Sequence, residues 1–526
     1  MKEITPREPE MVDMALELFW RRPDIMVVAA GSLPCIREVW MRARIEKALS
    51  RFRYVKLQEN DYILGTAEDK IRKIICVVAE ESKASHIILY LSCLDILTRI
   101  DFRDLETSLS EKTGRQVSCF FRGPLAKTDG AHHVSAEELV SSLTKGTAVV
   151  NSPWKALLPP ASDMSGISDW MRRMDTANVI ITPAGCRSCM RDGDMTKLQK
   201  HVYYTETAAS DFIFGLEDRC TKETSFLMEK EHFGRSALIG SAVPSFIGFD
   251  GEMVKYDLME RGKQSIYFPA DGFHDACYGV SRAEEISAKA AASIWRETRP
   301  VVGILGYSPL LCGGRGQYVP CIQFLEGKGY QVCFTGYENL KGKPSMNWVV
   351  SSAGLTAAQW VKDEEGVPYI AGVPVGMEAR HAWKRQVRRI LLKEVVEEPY
   401  VVHQKRYREK VVVLGDPLQT KGVEVYLKQL GFVRIIRVMY SWNGETRQIC
   451  QSDSAGKDVC YISTYLEWEK IIADADIIIG DPILKEDDSS ARWINFPWGY
   501  LGGRDSAQKE DGIMGDTMQS RLSGLR

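Results

Sequence analysis

Residues 24–50 read DIMVVAAGSLPCIREVWMRARIEKALS, and this stretch decides the fold class. Asp24 to Ala30 reads as an apolar strand that runs into the turn Gly31-Ser32-Leu33-Pro34-Cys35. A charged amphipathic segment, Ile36 to Ser50, comes next with helical spacing. Strand then helix is the repeating unit of an α/β protein with a parallel sheet.

The same rhythm continues along the chain. The pattern predicts a helix over Ala67 to Glu81, a strand over His86 to Ser92, a helix over Asp101 to Lys112 and a strand over Gln116 to Phe121. It breaks at Asn151-Ser-Pro-Trp and Leu157-Leu-Pro-Pro-Ala-Ser-Asp, where proline and small polar residues mark a connecting loop. Then it restarts: Asn178 to Ile181 reads as a strand ending in Thr182-Pro-Ala-Gly-Cys186. Asp61-Tyr-Ile-Leu-Gly65 matches Asp211-Phe-Ile-Phe-Gly215, and Leu91-Ser-Cys93 with Ile100-Asp101 matches Gly240-Ser-Ala242 with Phe249-Asp250. The spacing from Cys35 to Gly65 is 30 and from Cys186 to Gly215 is 29; from Gly65 to Asp101 it is 36 and from Gly215 to Asp250 it is 35. Four landmarks in one order imply a duplicated first domain.

Two more units complete the chain. Pro300 to Phe334 reads as strand, glycine-rich loop, helix and strand, and Val367-Pro-Tyr-Ile370 begins another strand after a helix. The last unit runs from Lys410 to about Gly480, with a polar tail after Arg504 expected to be loose. The expected domains are 1–150, a first copy; 151–299, a linker and second, degenerate copy; 300–404; and 405–526. The fold class is α/β, several Rossmann-like domains with mainly parallel sheets.

Composition narrows the function. At 44% hydrophobic and 26% charged residues the 526-residue chain is globular. Its 68 Lys plus Arg balance 70 Asp plus Glu, which gives no basic face for nucleic acid and no polybasic membrane signal. The acidic, amphipathic N-terminus lacks the plan of a signal peptide, and the apolar runs are strand-length, so a cytoplasmic protein is expected. Thirteen cysteines in such a chain are not a disulfide framework. Cys76, Cys220, Cys321, Cys333, Cys450 and Cys460 sit in apolar or helical contexts and read as plain thiols.

No G-x-G-x-x-G follows a strand and no P-loop occurs, so neither NAD nor flavin binding is indicated. Gly313-Gly-Arg-Gly316 reads as a strand-to-helix loop that could meet an anion. Cys186-Arg-Ser-Cys189 is a lone C-x-x-C, short of a structural zinc set; a thioredoxin-type redox pair stays open. Cys35, Cys93 and Cys119 each fall at or just past the end of a predicted strand, on the sheet edge where ligands usually bind. Converging thiolates of this kind suit an iron–sulfur cluster.

Here the chain resembles component 1 of nitrogenase and its relatives, which include the dark-operative protochlorophyllide reductase. Gly31-Ser-Leu-Pro-Cys35 and Thr182-Pro-Ala-Gly-Cys186 are similar to the family's Gly-Pro-x-Gly-Cys loop. Ser92-Cys93-Leu-Asp-Ile-Leu-Thr-Arg-Ile-Asp101 is similar to its Cys-x-x-x-Leu-Ile-Gly-Asp-Asp segment. Ser118-Cys119-Phe-Phe-Arg-Gly123 and Ala131-His-His133 resemble its Cys-x-Gly-Phe-x-Gly and later Gly-His-His. Asp61-Tyr-Ile-Leu-Gly65 stands where it has an acidic residue and Val-Phe-Gly, and Gly366-Val-Pro-Tyr369 and Val373-Pro-Val-Gly376 resemble its Gly-Ile-Pro and Pro-x-Gly.

The resemblance implies Rossmann-like domains, paired subunits (a second component 1-like chain or another copy), and an iron–sulfur cluster, of 4Fe-4S type, where first domains meet. It also implies an ATP-dependent iron–sulfur reductase as electron donor. Cys35, Cys93 and Cys119 would be ligands from the first copy, with Cys186, and Cys189 beside it, contributed by the second. The departures are as informative. The family's early cysteine has no counterpart, and the second copy has Ala242 and Phe268 where the first has Cys93 and Cys119. Asn347 to Ala353 offers Ser351 in place of the family's active-site cysteine, and no histidine follows His403. Dinitrogen reduction is therefore not expected. The reading is a nitrogenase-like electron-transfer oxidoreductase subunit acting on an unidentified substrate, with a metallocluster assembly scaffold or a non-catalytic partner subunit as alternatives.

Overall fold

The computed structural model of the chain describes residues 1–4, 14–98, 100–123, 126, 134–146, 156–171, 174–183, 190–195, 199–205, 210–334, 342–394, 406–486, 490–507 and 514–525. Among the described residues there are four mostly parallel sheets, and the chain splits into two compact units. One unit comprises Met1–Met164 with Asp175–His274, the other Ser165–Met174 with Asp275–Arg526. Among the described residues no helix is long and apolar enough to cross a membrane.

The first unit holds two sheets of like topology. Strands Ile25–Ala29, Phe52–Tyr54, His86–Leu91 and Gln116–Phe121 are all parallel, in the spatial order second, first, third, fourth. Ala177–Ile180, Val202–Tyr204, Arg235–Ile239 and Gln264–Phe268 repeat that order. The second sheet adds Lys2–Glu3, antiparallel to Val202–Tyr204. The equivalence extends to the caps. Asp101 accepts hydrogen bonds from Arg103 N and Asp104 N at the start of helix Phe102–Thr113, and Asp250 accepts one from Met253 N at the start of helix Gly251–Glu260.

Every residue of Ile25–Ala29 and of His86–Leu91 is buried, as parallel strands covered on both faces must be. Helix Ala67–Ser82 covers one face with Ala67, Ile71, Ile75, Val78 and Ala79, a stripe at 3.6-residue spacing. Its core takes in Ala242, Val243 and Phe273 from the second half, so the two halves of this unit share apolar packing.

The second unit holds the other two sheets. Thr298–Leu305, Gln331–Cys333, Lys343–Val349 and Tyr369–Ala371 again run second, first, third, fourth. Tyr407–Leu414, Phe432–Tyr440, Cys460–Ile462, Ile477–Gly480 and Arg492–Asn495 are parallel in the order third, second, first, fourth, fifth, a doubly wound arrangement.

Two local expectations are revised, and a third gains detail. The helix expected from Ile36 begins at Leu33, because proline fits the first turn of a helix and Pro34 sits there. The connecting loop is buried at Leu157 and Leu158. The tail is not loose throughout, since helix Asp516–Ser523 inserts Met518 and Leu522 into the core.

Candidate functional site

Where the strand Ile25–Ala29 ends, Gly31 has φ +129°, and a Cβ there would lie 2.7 Å from Ser92 Oγ. Glycine lets the turn before Cys35 press against the turn before Cys93. Ser32 then opens helix Leu33–Ile45, and its hydroxyl donates to Cys35 Sγ at 3.4 Å. Cys35 thus lies in the helix's first turn rather than in a loop.

Cys93 opens the short helix Cys93–Ile96. The capping Ser92 donates from N and Oγ to Asp95 Oδ2, at 2.7 and 2.8 Å, while Tyr62 OH donates to Asp95 Oδ1 at 2.9 Å. Burial pushes the Asp95 carboxyl up, against these three hydrogen bonds. The third strand-end turn closes over the thiol. Cys93 Sγ is 3.9 Å from Arg122 O, and a Cβ on Gly123, at φ +115°, would fall 2.2 Å from that sulfur.

The second half builds the same turn without the thiol. Ala242 stands in place of Cys93, and Gly272, at φ +69°, would bring a Cβ 2.8 Å from the Ala242 Cβ. Gly123 follows Cys93 by 30 residues and Gly272 follows Ala242 by 30. Gly272 is held from both sides. Its carbonyl accepts from Leu33 N at 2.8 Å, and its N–H donates to Asp163. Asp163 also accepts from Asp271 N and Met164 N. Burial, with Asp271 nearby, pushes the Asp163 carboxyl well up; His274, 2.8 Å from Asp271, holds Asp271 low in spite of burial.

These turns enclose a cavity of about 240 Å³. Cys35, Glu38, Cys93 and Gly123 line it from the first half; Met164, Arg191, Ala242 and Gly272 line it from the second. Arg122 and Arg191 both border it. Burial drives the Cys35 thiol up to about 12, and the neighbouring Cys93, Glu38 and Asp95 add to the shift. So raised, the Cys35 thiol is neutral near pH 7. Two thiols on one cavity wall, with a glycine clearing room beside one, fit a soft metal centre that would draw off their protons.

Of the expected ligands, the structure brings Cys35 and Cys93 together at this cavity. Cys119 is not among the lining residues. It lies inside the strand, paired with Leu89, on the face it shares with Phe121. Both turn toward helix Phe102–Thr113: Cys119 Sγ is 4.0 Å from Phe102 O, and the Phe121 ring meets Phe102 at 5.0 Å. Cys186 and Cys189 lie outside the described residues. The segment Met190–Met195, just after them in the chain, is anchored: Arg191 lines the cavity, and Asp194 pairs with Arg37 two residues beyond Cys35, Nη2 to Oδ1 at 2.8 Å. Ser351, singled out in the sequence within Asn347 to Ala353, donates to Gly306 O at 2.6 Å.

Sequence reasoning missed the Arg37–Asp194 pair, the Asp163 hook and Gly272. For Gly272 a signal existed, its spacing from Ala242. For a pair of charges 157 residues apart there was none.

Among solved structures, nitrogenase Cp1 at pH 6.5 matches with a TM-score of 0.52 and 11% identity, over 73% of this chain and 93% of that one. The chain has a nitrogenase-like fold. Nitrogenase Cp1 at pH 5 gives a TM-score of 0.47 and 12% identity, over 72% of this chain and 91% of that one. No protein-family model and no curated protein sequence matches. At 11% identity the nitrogenase likeness is one of fold, and the chemistry of the site rests on its own atoms.

One of those atoms is missing by necessity at Gly123. Gly123→Ala is expected to lower the thermal midpoint of the first unit well beyond Gly114→Ala. Both need a positive φ, a strain of about 1–3 kcal/mol, yet nothing lies within 4 Å of a Cβ at Gly114. Equal shifts for the two variants would mean that the Cys93 turn yields freely.

Proposed function

We propose that this chain is a nitrogenase-like oxidoreductase subunit that holds an iron–sulfur cluster, of 4Fe-4S type, at the Cys35–Cys93 cavity. Its role is to pass electrons from an ATP-dependent reductase to a substrate. The observation that carries the reading is the pair of thiols on one wall of a cavity whose opposite wall comes from the equivalent half of the same unit. When bound, such a cluster accepts and donates single electrons at a potential set by burial and hydrogen bonding.

The chain's own residues do the rest. Cys35 and Cys93 would supply thiolates, with Cys186 and Cys189 as the second half's donors. Arg122 and Arg191 put positive charge beside what would be a net negative group. Asp95 and Ser92 fix the Cys93 turn, and Asp163 fixes the turn facing it. Docking of a reductase is supported by apolar side chains at equivalent positions of the two halves: Leu64 is 74% exposed and Phe214 86%. We read the four sheets as four domains, bounded near residues 150, 299 and 404, in a cytoplasmic protein that pairs with a component 1-like subunit or a second copy.

After anaerobic purification the protein is expected to be brown, with iron, acid-labile sulfide and an EPR signal on reduction. Cys35→Ala or Cys93→Ala should remove most of the iron and the visible absorbance while leaving the circular dichroism intact. A colourless, iron-free wild type would sink the proposal. Ala242 in the place of a second Cys93 favours one further reading, an assembly scaffold: a cluster that moves to an acceptor protein and is never reduced by the donor would select it.

A further inference from the structure

A separate thiol group lies in the unit of Ser165–Met174 and Asp275–Arg526. Cys277 sits in the first turn of helix Ala276–Ala292, whose capping Asp275 accepts from Tyr278 N and from Tyr500 OH. Cys450 lies in helix Gly444–Gln451, and Asp416 caps helix Pro417–Leu430. One ligand atom from each of Cys277, Asp416 and Cys450 lies within 4.8 Å of the other two, and all three residues are buried.

The surroundings leave polar capacity unused. Asp416 accepts from Ser352 N and Leu418 N, both at 2.9 Å, and from Gln419 N; burial still pushes its carboxyl up to about 6. The facing Cys450 thiol, together with burial, pushes Cys277 well above its ordinary range. Thr446 Oγ1, one helical turn before Cys450, is buried with no hydrogen-bond partner among the described residues, and the Ser352 hydroxyl lies beside the Asp416 carboxyl and helps to hold it down. The buried Cys312 thiol, by contrast, donates to Gly306 O at 3.3 Å. Two thiols facing one another and a carboxylate, with the orphan Thr446 hydroxyl nearby, make a costly motif for an apolar core. The same set suits a soft divalent cation.

We propose that Cys277, Cys450 and Asp416 bind one Zn²⁺-class cation, with the Ser352 hydroxyl or a water as fourth ligand. Binding releases the two thiol protons to solvent and changes no oxidation state. The ion would tie together three segments far apart in sequence within this unit. The site is independent of the Cys35–Cys93 cavity.

The test is a Co²⁺ titration of the full chain carrying Cys35→Ala, Cys93→Ala, Cys186→Ala and Cys189→Ala, which removes the thiols proposed for the iron site. One equivalent should bind, with thiolate-to-metal absorption in the near ultraviolet and the visible bands of a tetrahedral ion. Adding Cys277→Ser and Cys450→Ser should abolish both, and Asp416→Asn should weaken binding about tenfold or more. A second measurement needs no variant: in the wild type, Zn²⁺ should protect Cys277 and Cys450 from alkylation in peptide maps. Absence of stoichiometric binding, bands that survive Cys277→Ser with Cys450→Ser, or a Cys277–Cys450 disulfide peptide would each overturn the proposal.

Discussion

Replacing Arg37 by methionine is expected to weaken the first unit by about 3–5 kcal/mol, because it breaks a buried ion pair by removing one partner. Arg37 and Asp194 are 0% and 1% exposed in their side chains. The guanidinium donates to Asp194 Oδ1 from Nε at 3.2 Å and from Nη2 at 2.8 Å, and from Nη1 to Pro159 O. Removing it takes the guanidinium away from Asp194 at a depth where losing a counter-ion is costly. Hydrogen exchange of segments 33–45 and 190–195 should accelerate by about two to three orders of magnitude. The double variant Arg37→Met with Asp194→Leu should recover most of the loss, since apolar side chains of similar volume need no partner. A double variant as weak as the single one would show that the pair acts through shape and not charge. The function is touched as well. This pair joins the helix that carries Cys35 in its first turn to the segment right after Cys189, so its loss should loosen the proposed iron site before it unfolds the unit.

The second large effect is a pH dependence in the other unit. Glu284 is buried, accepts from Gly306 N at 2.8 Å to both carboxylate oxygens, and from Trp170 Nε1 at 3.1 Å. Burial pushes its carboxyl from 4.5 up to about 8, with the hydrogen bonds opposing. The folded form therefore holds its proton where the unfolded form has lost it. A raised carboxyl contributes stability that is complete below the unfolded value and drains away as pH rises toward the folded one. Between pH 4.5 and about 8 the loss is on the order of 4 kcal/mol. Glu284→Gln, neutral throughout, should flatten that part of the profile and leave the variant the more stable protein at pH 8.5. Thermal midpoints of the two proteins from pH 5 to 8.5 decide it. Parallel curves would mean that Glu284 is ionised in the fold, stabilised by groups other than these N–H donors.

Fold class and repeat were legible in the order of residues alone. Apolar runs of strand length, each followed by a charged helical stretch, admit little but a parallel sheet covered on both faces. The matched landmarks Asp101 and Asp250 return in the structure as equivalent helix caps. The placement of Cys35 and Cys93 was also legible, because both come after strands whose neighbours are set by the order of elements. The rest needed the folded chain. Cys119 looked like a third member, but side chains alternate along a strand, and a residue inside the strand faces the sheet's covering helix instead of its edge. The Arg37–Asp194 pair, the Asp163 hook and the meeting of Cys277, Asp416 and Cys450 join residues from segments far apart along the chain. No local period records such contacts. They exist because the folded core brings polar groups to places where each must find a partner.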